Sequence, residues 1–134
     1  MDPSLRAVLP DTATVNELGH LVLGGCDVSD LAEEYGTPLY IFDEDTLRAR
    51  CRAFLSEFRT RYPATRVMYA SKAFLNPAMA HLFQDEGMGL DVVSGGELAI
   101  AQRVEFPAED IYLHGNNKGA DELRMALDYH IGAV

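Results

Sequence analysis

The sequence predicts an α/β fold, the N-terminal part of a (β/α)8 barrel. From position 66 onward, short apolar stretches alternate with helical patterns, which is typical of parallel strands joined by crossover helices. Corresponding positions at or near the ends of these stretches recur at a steady interval: Asp91 follows Lys72 by 19 residues, His114 follows after 23 more, and Val134, the end of the fourth stretch, after another 20. This period fits a repeated strand–helix unit.

The length of the repeated region bears on the barrel prediction. A (β/α)8 barrel takes roughly 250 residues, whereas 66–134 supplies three complete strand–helix units and the beginning of a fourth. A parallel sheet is covered on both faces, and a chain that stops on an apolar strand leaves that strand without its helix. We therefore expect an N-terminal piece of a longer protein. The alternative is a small open α/β sheet.

In the N-terminal half, turn formers and caps predict the elements. A short strand at 20–23 ends at two glycines, and Ser29 caps a helix that Gly36 closes. A further strand is predicted at 37–42, where the proline stands near its start. Asp43 begins a long helix. Its apolar positions repeat at intervals of three and four and predict a buried stripe of Leu47, Cys51, Phe54, Leu55 and Phe58.

In the C-terminal half, the same reasoning gives the strand–helix units. Strands are predicted at 67–70, 90–93, 111–114 and, as a beginning, 131–134. Helices are predicted between them, at 77–86, 94–104 and 120–129. Asn76 caps the first of these helices, and Ser94 with Glu97 has the form of a capping box that opens the second.

The charge balance excludes several partner classes. A formal net charge of −10 repels phosphate backbones and anionic lipids, and the sequence has no concentrated basic patch, so we expect neither nucleic-acid nor membrane binding. The absence of a signal segment and of a long apolar run predicts a cytoplasmic protein. Cys26 and Cys51 lack metal-ligand spacing, so we expect reduced thiols and no metal site.

Three polar residues are candidates for chemistry because reactive groups of parallel α/β proteins lie at the carboxyl ends of the strands. They are Lys72, Asp91 and His114. A carboxylate within an apolar strand is costly to bury without a partner, and we expect Lys72 to pair with Asp91. A partly desolvated lysine amine forms Schiff bases with carbonyl compounds, which suits either an aldolase or a pyridoxal-phosphate enzyme.

The sequence resembles the diaminopimelate decarboxylase family in four blocks. They are YGTPLY at 35–40, YASKAF at 69–74, GLDVVSGGEL at 89–98 and HGNNK at 114–118. The blocks occur in the family's order and spacing, and the resemblance extends from about position 18 to the end. The family belongs to the alanine-racemase-like pyridoxal-phosphate barrels, which share the Tyr-Ala-x-Lys element.

The resemblance implies a cofactor and roles for particular residues. Pyridoxal 5'-phosphate would be bound covalently by Lys72, which would later return a proton to the substrate. Asp91 would lie beneath the cofactor and His114 beside it, while Glu97 and Asn116 would lie near the same site. The family's phosphate-binding, pyridine-nitrogen and substrate-carboxylate residues would come after Val134.

The resemblance also implies the reaction and the domain organisation. The full-length parent would be a carboxy-lyase that converts meso-2,6-diaminopimelate to L-lysine and CO2 in lysine biosynthesis, as a homodimer. Residues 1–36 would belong to a second, β-rich domain and 37–134 to the barrel, and this piece alone would be inactive. The alternatives are another pyridoxal-phosphate barrel decarboxylase or racemase, and a non-catalytic pyridoxal-phosphate carrier.

Overall fold

The structure is a computed structural model that describes residues 3–134. These residues form two compact units, the first ending at Arg50 and the second beginning at Cys51. The α/β class predicted from the strand–helix alternation is confirmed. The predicted domain boundary between 36 and 37 stays a prediction, since the division into units falls within a helix and does not test it.

The first unit contains a small antiparallel sheet. After the short helix α1 (Pro3–Arg6), the sheet is made of β1 (Thr14–Val15), β2 (Leu21–Leu23) and β3 (Cys26–Asp27), in that order. Gly24 and Gly25 join β2 to β3 with φ of 56° and 83°. A two-residue hairpin that needs positive φ at both positions favours glycine there, which explains the pair. Of the three strands, only β2 was predicted.

Helix α2 (Val28–Tyr35) follows the sheet directly. Its N-cap is Asp27, whose side chain accepts a hydrogen bond from the backbone N–H of Ser29, so the predicted cap at Ser29 is wrong by two residues. Gly36 closes the helix as predicted, with φ of 79°. The predicted strand at 37–42 is wrong, because none of the described strands pairs with this segment.

The long helix α3 (Glu44–Arg61) confirms the helix expected from Asp43. The Asp43 side chain accepts a hydrogen bond from the Thr46 backbone N–H at 3.2 Å, as an N-cap does. Cys51 and Leu55 are buried, whereas Phe54 and Phe58 are exposed. The predicted apolar stripe is therefore only partly buried in this structure.

The second unit is built on a parallel sheet. Its strands are β4 (Met68–Ala70), β5 (Gly89–Val92) and β6 (Ile111–Leu113), in that spatial order. The connections contain α4 (Pro77–Asp85) and α5 (Gly95–Arg103), and α6 (Ala120–Asp128) follows β6. Tyr112 also bridges in parallel to Ala133, so the beginning of a fourth strand is confirmed.

Helix caps and core packing fix this second unit. The Asn76 side chain accepts from the Met79 N–H at 2.8 Å and caps α4, and the Ser94 hydroxyl caps α5 by accepting from the Glu97 N–H.

Alternate strand residues point to opposite faces of a sheet. One face is fully packed, and its central residues are Leu90, Val92, Ile111 and Leu113. The other face carries the candidate site.

Two further sequence expectations can be compared with the structure. Cys26 and Cys51 are not joined by a disulfide, as expected. Among residues 3–134, the helices are all too short or too polar to cross a lipid bilayer.

Candidate active site

The register of the parallel sheet brings one residue from each strand into a row. Asp91 pairs with Ala70 on one side and with Tyr112 on the other, and Tyr112 bridges to Ala133. Because Leu90 and Val92 point into the packed face, Asp91 lies on the opposite, open face. The row is near the carboxyl ends of the strands, where parallel α/β proteins hold reactive groups.

Lys72 lies two residues beyond this row, in a single 3-10 turn formed by Ser71–Ala73. Its side chain is exposed and makes no hydrogen bond or ion pair with any residue in 3–134. The amine is therefore accessible to a carbonyl compound from solvent, and the partial desolvation expected for it is not found among the described residues. The structure thus places Lys72 at the predicted strand end.

Tyr69 braces the turn that carries Lys72. Its hydroxyl donates a hydrogen bond of 2.8 Å to the carbonyl oxygen of Phe74, so the two ends of the turn are tied together. The ring stacks on Phe83 of α4, with centroids 3.8 Å apart. Burial raises the pKa of the Tyr69 hydroxyl.

Asp91 and His114 lie together at the ends of β5 and β6. The distance from Asp91 Oδ2 to His114 Nδ1 is 3.6 Å, with the Asp91 side chain 29% exposed and that of His114 74% exposed. This distance is too long for a hydrogen bond but short enough for an electrostatic contact between the two side chains. The backbone N–H of His114 is fixed by a 2.8 Å bond to the Val92 carbonyl.

An open groove of about 450 Å³ includes Asp91 and His114. Its volume is within the range of small-molecule sites. The remaining lining residues are Met68, Tyr112, Leu113, Lys118, Ala133 and Val134. Lys72 is not among them. The sequence analysis did not identify Lys118 as a site residue, although its place four positions after His114 in one loop was the available signal.

The expected ion pair between Lys72 and Asp91 is wrong. Within residues 3–134, the only ion-pair partner of Asp91 is His114, and Lys72 has none. The reason is geometric: Lys72 stands in the turn after β4 rather than in the strand, whereas Asp91 is within β5 and remains partly exposed. Partial exposure removes the need for a buried cation.

Two glutamates fix the loops around the site. Glu97 accepts a 2.8 Å hydrogen bond from the N–H of Val93, the residue before the N-cap Ser94. A capping box needs this bond from the N–H of the N-cap itself, so only the Ser94 half of the predicted box is present. Glu122 was not predicted. Its Oε1 accepts from the Gly95 N–H and its Oε2 from the Gly119 N–H, and these bonds, Gly119 first, lower the pKa of the carboxyl group.

The donor set fits a cofactor that carries an aldehyde and an aromatic ring. The unpaired amine of Lys72 suits the aldehyde, and the groove beside Asp91 and His114 has apolar walls that suit a ring. No metal is needed for this chemistry, and among the described residues no three His, Cys, Asp or Glu side chains form a cluster that could hold one. The assignment of Lys72, Asp91 and His114 to a cofactor stays a prediction.

Comparisons with known proteins agree with this fold. The structure is similar to the crystal structure of diaminopimelate decarboxylase from M. jannaschi, with a TM-score of 0.78 and 32% sequence identity over 91% of this chain and 29% of that one. The α/β barrel class is thereby confirmed.

Named sequence relatives show the same coverage. Diaminopimelate decarboxylase of Bacillus subtilis (strain 168) is 50% identical over 126 residues, 94% of this chain and 29% of that protein. The protein of that name from Mycobacterium tuberculosis (strain H37Rv) is 43% identical over 127 residues, 95% of this chain and 28% of that protein. The chain therefore spans less than a third of the length of these relatives.

The family assignment rests on a domain match that covers most of the chain. Residues 44–134, more than half of the chain, match the pyridoxal-binding domain of the pyridoxal-dependent decarboxylases. This stretch contains all three predicted site residues. The chain belongs to the family of pyridoxal-dependent decarboxylases, and its residues 44–134 match the pyridoxal-binding domain of that family.

Proposed function

We propose that the full-length protein containing this sequence is a diaminopimelate decarboxylase, a carboxy-lyase that converts meso-2,6-diaminopimelate to L-lysine and CO2. The observation that carries the proposal is the unpaired, exposed amine of Lys72 at the carboxyl end of β4 in a pyridoxal-binding domain. The 50% identity to the Bacillus subtilis relative supports the choice of substrate.

Each of the three residues has a distinct role in the proposal. The Nζ of Lys72 would hold the cofactor aldehyde, give way to the substrate amine and then deliver a proton to the substrate α-carbon. Bound pyridoxal phosphate would supply the electron sink for the pair released when the C–C bond to the carboxylate breaks and CO2 departs. Asp91 would hold His114 by charge attraction across 3.6 Å, and both would form a wall of the cofactor site.

Further expectations about the whole protein remain part of this proposal. The antiparallel sheet β1 to β3 supports assigning 1–36 to a β-rich domain, and the parallel sheet supports assigning 37–134 to the barrel; positions 1 and 2 lie outside the described residues. The homodimer, the cytoplasmic location and the place in lysine biosynthesis stay predictions. So does the expectation that 1–134 alone is inactive.

The test is an assay of the full-length protein with and without Lys72. We expect the purified protein to release CO2 from meso-diaminopimelate and form L-lysine in equal amounts, with ornithine and arginine as poor substrates. Lys72→Ala should lower kcat by a factor of about 10³ or more, because the amine takes part in bond formation and proton transfer. Arg61→Ala is the control, since it removes an exposed cation that pairs with Glu57 in α3 and does not line the groove.

Three outcomes would contradict the proposal. Activity of Lys72→Ala within tenfold of the unaltered protein would remove Lys72 from the chemistry. Turnover of ornithine or arginine in preference to diaminopimelate, or racemisation without CO2 release, would identify a different pyridoxal-phosphate enzyme. Tight binding of the cofactor without turnover of any amino acid would indicate a carrier protein.

A further inference from the structure

We propose that Glu122 is a positioning residue for the groove: its carboxylate clamps the 114–119 loop to the first turn of α5, and so sets the places of His114 and Lys118. This inference deepens the proposed function and rests on it, because the groove matters only if it binds cofactor or substrate. Glu122 itself does not line the groove.

The clamp consists of one carboxylate bound by two separate strand–helix connections. Glu122 Oε1 accepts from the Gly95 N–H at 2.7 Å, at the start of α5, and Oε2 accepts from the Gly119 N–H at 2.8 Å, at the start of α6. Hydrogen bonds from backbone N–H groups to a carboxylate are among the stronger ones in proteins. They also satisfy donors that helix N-termini leave free.

The 114–119 loop has few other attachments. Its first residue, His114, is bound through its backbone N–H to Val92 O at 2.8 Å. Residues 115–118 make no hydrogen bond or ion pair with any part of the described chain. The other end of the loop is held at Gly119, where the N–H goes to Glu122 and the carbonyl accepts the first bond of α6 from Leu123.

Close contact at Gly95 indicates that the clamp is built into the backbone. A Cβ at this position would lie 3.2 Å from Cγ of Glu122, closer than most Cβ contacts in proteins, so the Glu122 side chain would have to shift. The lack of a side chain at Gly95 therefore allows the Glu122 carboxylate to reach the Gly95 N–H. The lowered pKa of Glu122 agrees with a carboxylate that is stabilised in its charged form by both donors.

The consequence for the site follows from connectivity. His114 and Lys118 stand in the loop, and both line the groove with Asp91. Without the Glu122 bonds, the part of the loop that carries Lys118 has no other hydrogen bond to α5. The Lys118 ammonium group then moves out of the groove. Displacement of binding groups by about 1 Å is sufficient to weaken binding or turnover by large factors.

The test measures KM and kcat separately in the full-length protein. Glu122→Gln, which leaves a single acceptor, and Glu122→Ala, which leaves none, should raise the KM for diaminopimelate by about fivefold or more while kcat falls less than about threefold. Asp121→Asn is the control, since it removes the same charge from an exposed neighbour on α6. We expect the control to keep KM within about twofold of the unaltered protein.

A double-mutant cycle separates positioning from general stability. If Glu122 acts through the loop, Glu122→Gln added to His114→Ala/Lys118→Ala should raise KM little further. If Glu122→Gln raises KM in that double variant by the same factor as in the unaltered protein, the inference is overturned. So would variants of Glu122 that lower the thermal midpoint and the amount of active protein but leave KM unchanged, because that result identifies a purely structural cap.

Amide hydrogen exchange keeps this inference distinct from the proposed function. If the unaltered protein neither binds pyridoxal phosphate nor releases CO2, the proposed function fails, and with it the link to the groove. Faster exchange of the Gly95 and Gly119 amides in Glu122→Gln than in Asp121→Asn would still establish the clamp. Equal exchange in the two variants would contradict the clamp even in an active enzyme.

Discussion

Asp91 in β5 and His114, the residue directly after β6, face each other with 3.6 Å between Oδ2 and Nδ1. The register places Asp91 directly opposite Tyr112, two residues before His114, so the carboxylate and the imidazole meet at the edge of the sheet where β6 ends. Both side chains line the groove, so the two strand ends contribute a carboxylate and an imidazole to one wall of it.

The first prediction concerns this pair. Asp91→Asn keeps the shape of the side chain and removes its charge, so His114 loses its attraction and the full-length protein should bind pyridoxal phosphate more weakly by about tenfold. Absorbance titration of the cofactor measures the change. Asp110→Asn is the control, because Asp110 pairs with Arg66 before the strands begin. Equal affinities of the Asp91 variant and the unaltered protein would make Asp91 a structural residue.

A second prediction concerns the packing of β5 against its neighbours. A Cβ at Gly89 would lie 2.7 Å from the Asp110 carbonyl oxygen and would also collide with the Met68 sulfur, so Gly89→Ala should destabilise the fold by about 1–3 kcal/mol. A Cβ added at Gly96 in α5 would come no closer than 3.9 Å to an atom outside its own helix backbone and chain neighbours, so Gly96→Ala should be neutral or stabilising. Urea unfolding of both variants gives the comparison; equal stabilities would show that the strand shifts to accept the methyl group.

The third prediction follows from a buried hydroxyl without a partner. Ser71 Oγ is buried and makes no hydrogen bond within the described residues, so Ser71→Ala should be neutral or stabilising by about 1 kcal/mol. Ser94→Ala removes the cap of α5 and should instead cost about 1 kcal/mol. If Ser71→Ala destabilises as much as Ser94→Ala in thermal unfolding, the hydroxyl has a bound partner such as water.

A fourth prediction uses the charge of Glu122. Its folded-state pKa lies below the ordinary value of 4.5, so its carboxylate contributes stability above that pH, and the contribution disappears as pH falls through the lowered value. The difference in thermal midpoint between the unaltered protein and Glu122→Gln should therefore be largest near neutral pH and shrink in acid. A difference that stays constant from neutral pH to about pH 3 would contradict this assignment.

Local signals account for what the sequence predicted correctly. Asn76 before Pro77 and the Ser94–Glu97 pair define helix starts through contacts within three residues, and the structure has helices at both places. The same locality explains Gly36 at the end of α2. Parallel pairing of β4 to β6 could be predicted because its repeat length leaves room for one helix between strands.

Non-local contacts account for the errors. The 37–42 segment has the composition of a strand, but a strand exists only with a partner, and the segment alone does not reveal whether one is present. Asp91 lies beside His114 rather than Lys72 because Lys72 stands in a single 3-10 turn past the end of β4. The Glu122 carboxylate accepts a hydrogen bond from the Gly95 N–H, 27 positions away, and no local sequence pattern indicates such a contact.

The central claim is that Lys72 carries the cofactor, and covalent trapping tests it most directly. The full-length protein is loaded with pyridoxal phosphate, reduced with sodium borohydride, digested and mapped by mass spectrometry. The account predicts a phosphopyridoxyl group on the peptide containing Lys72, in about one copy per chain, and none on the peptide containing Lys118. Label on Lys118, label spread over several lysines of the protein, or an unmodified Lys72 would contradict it.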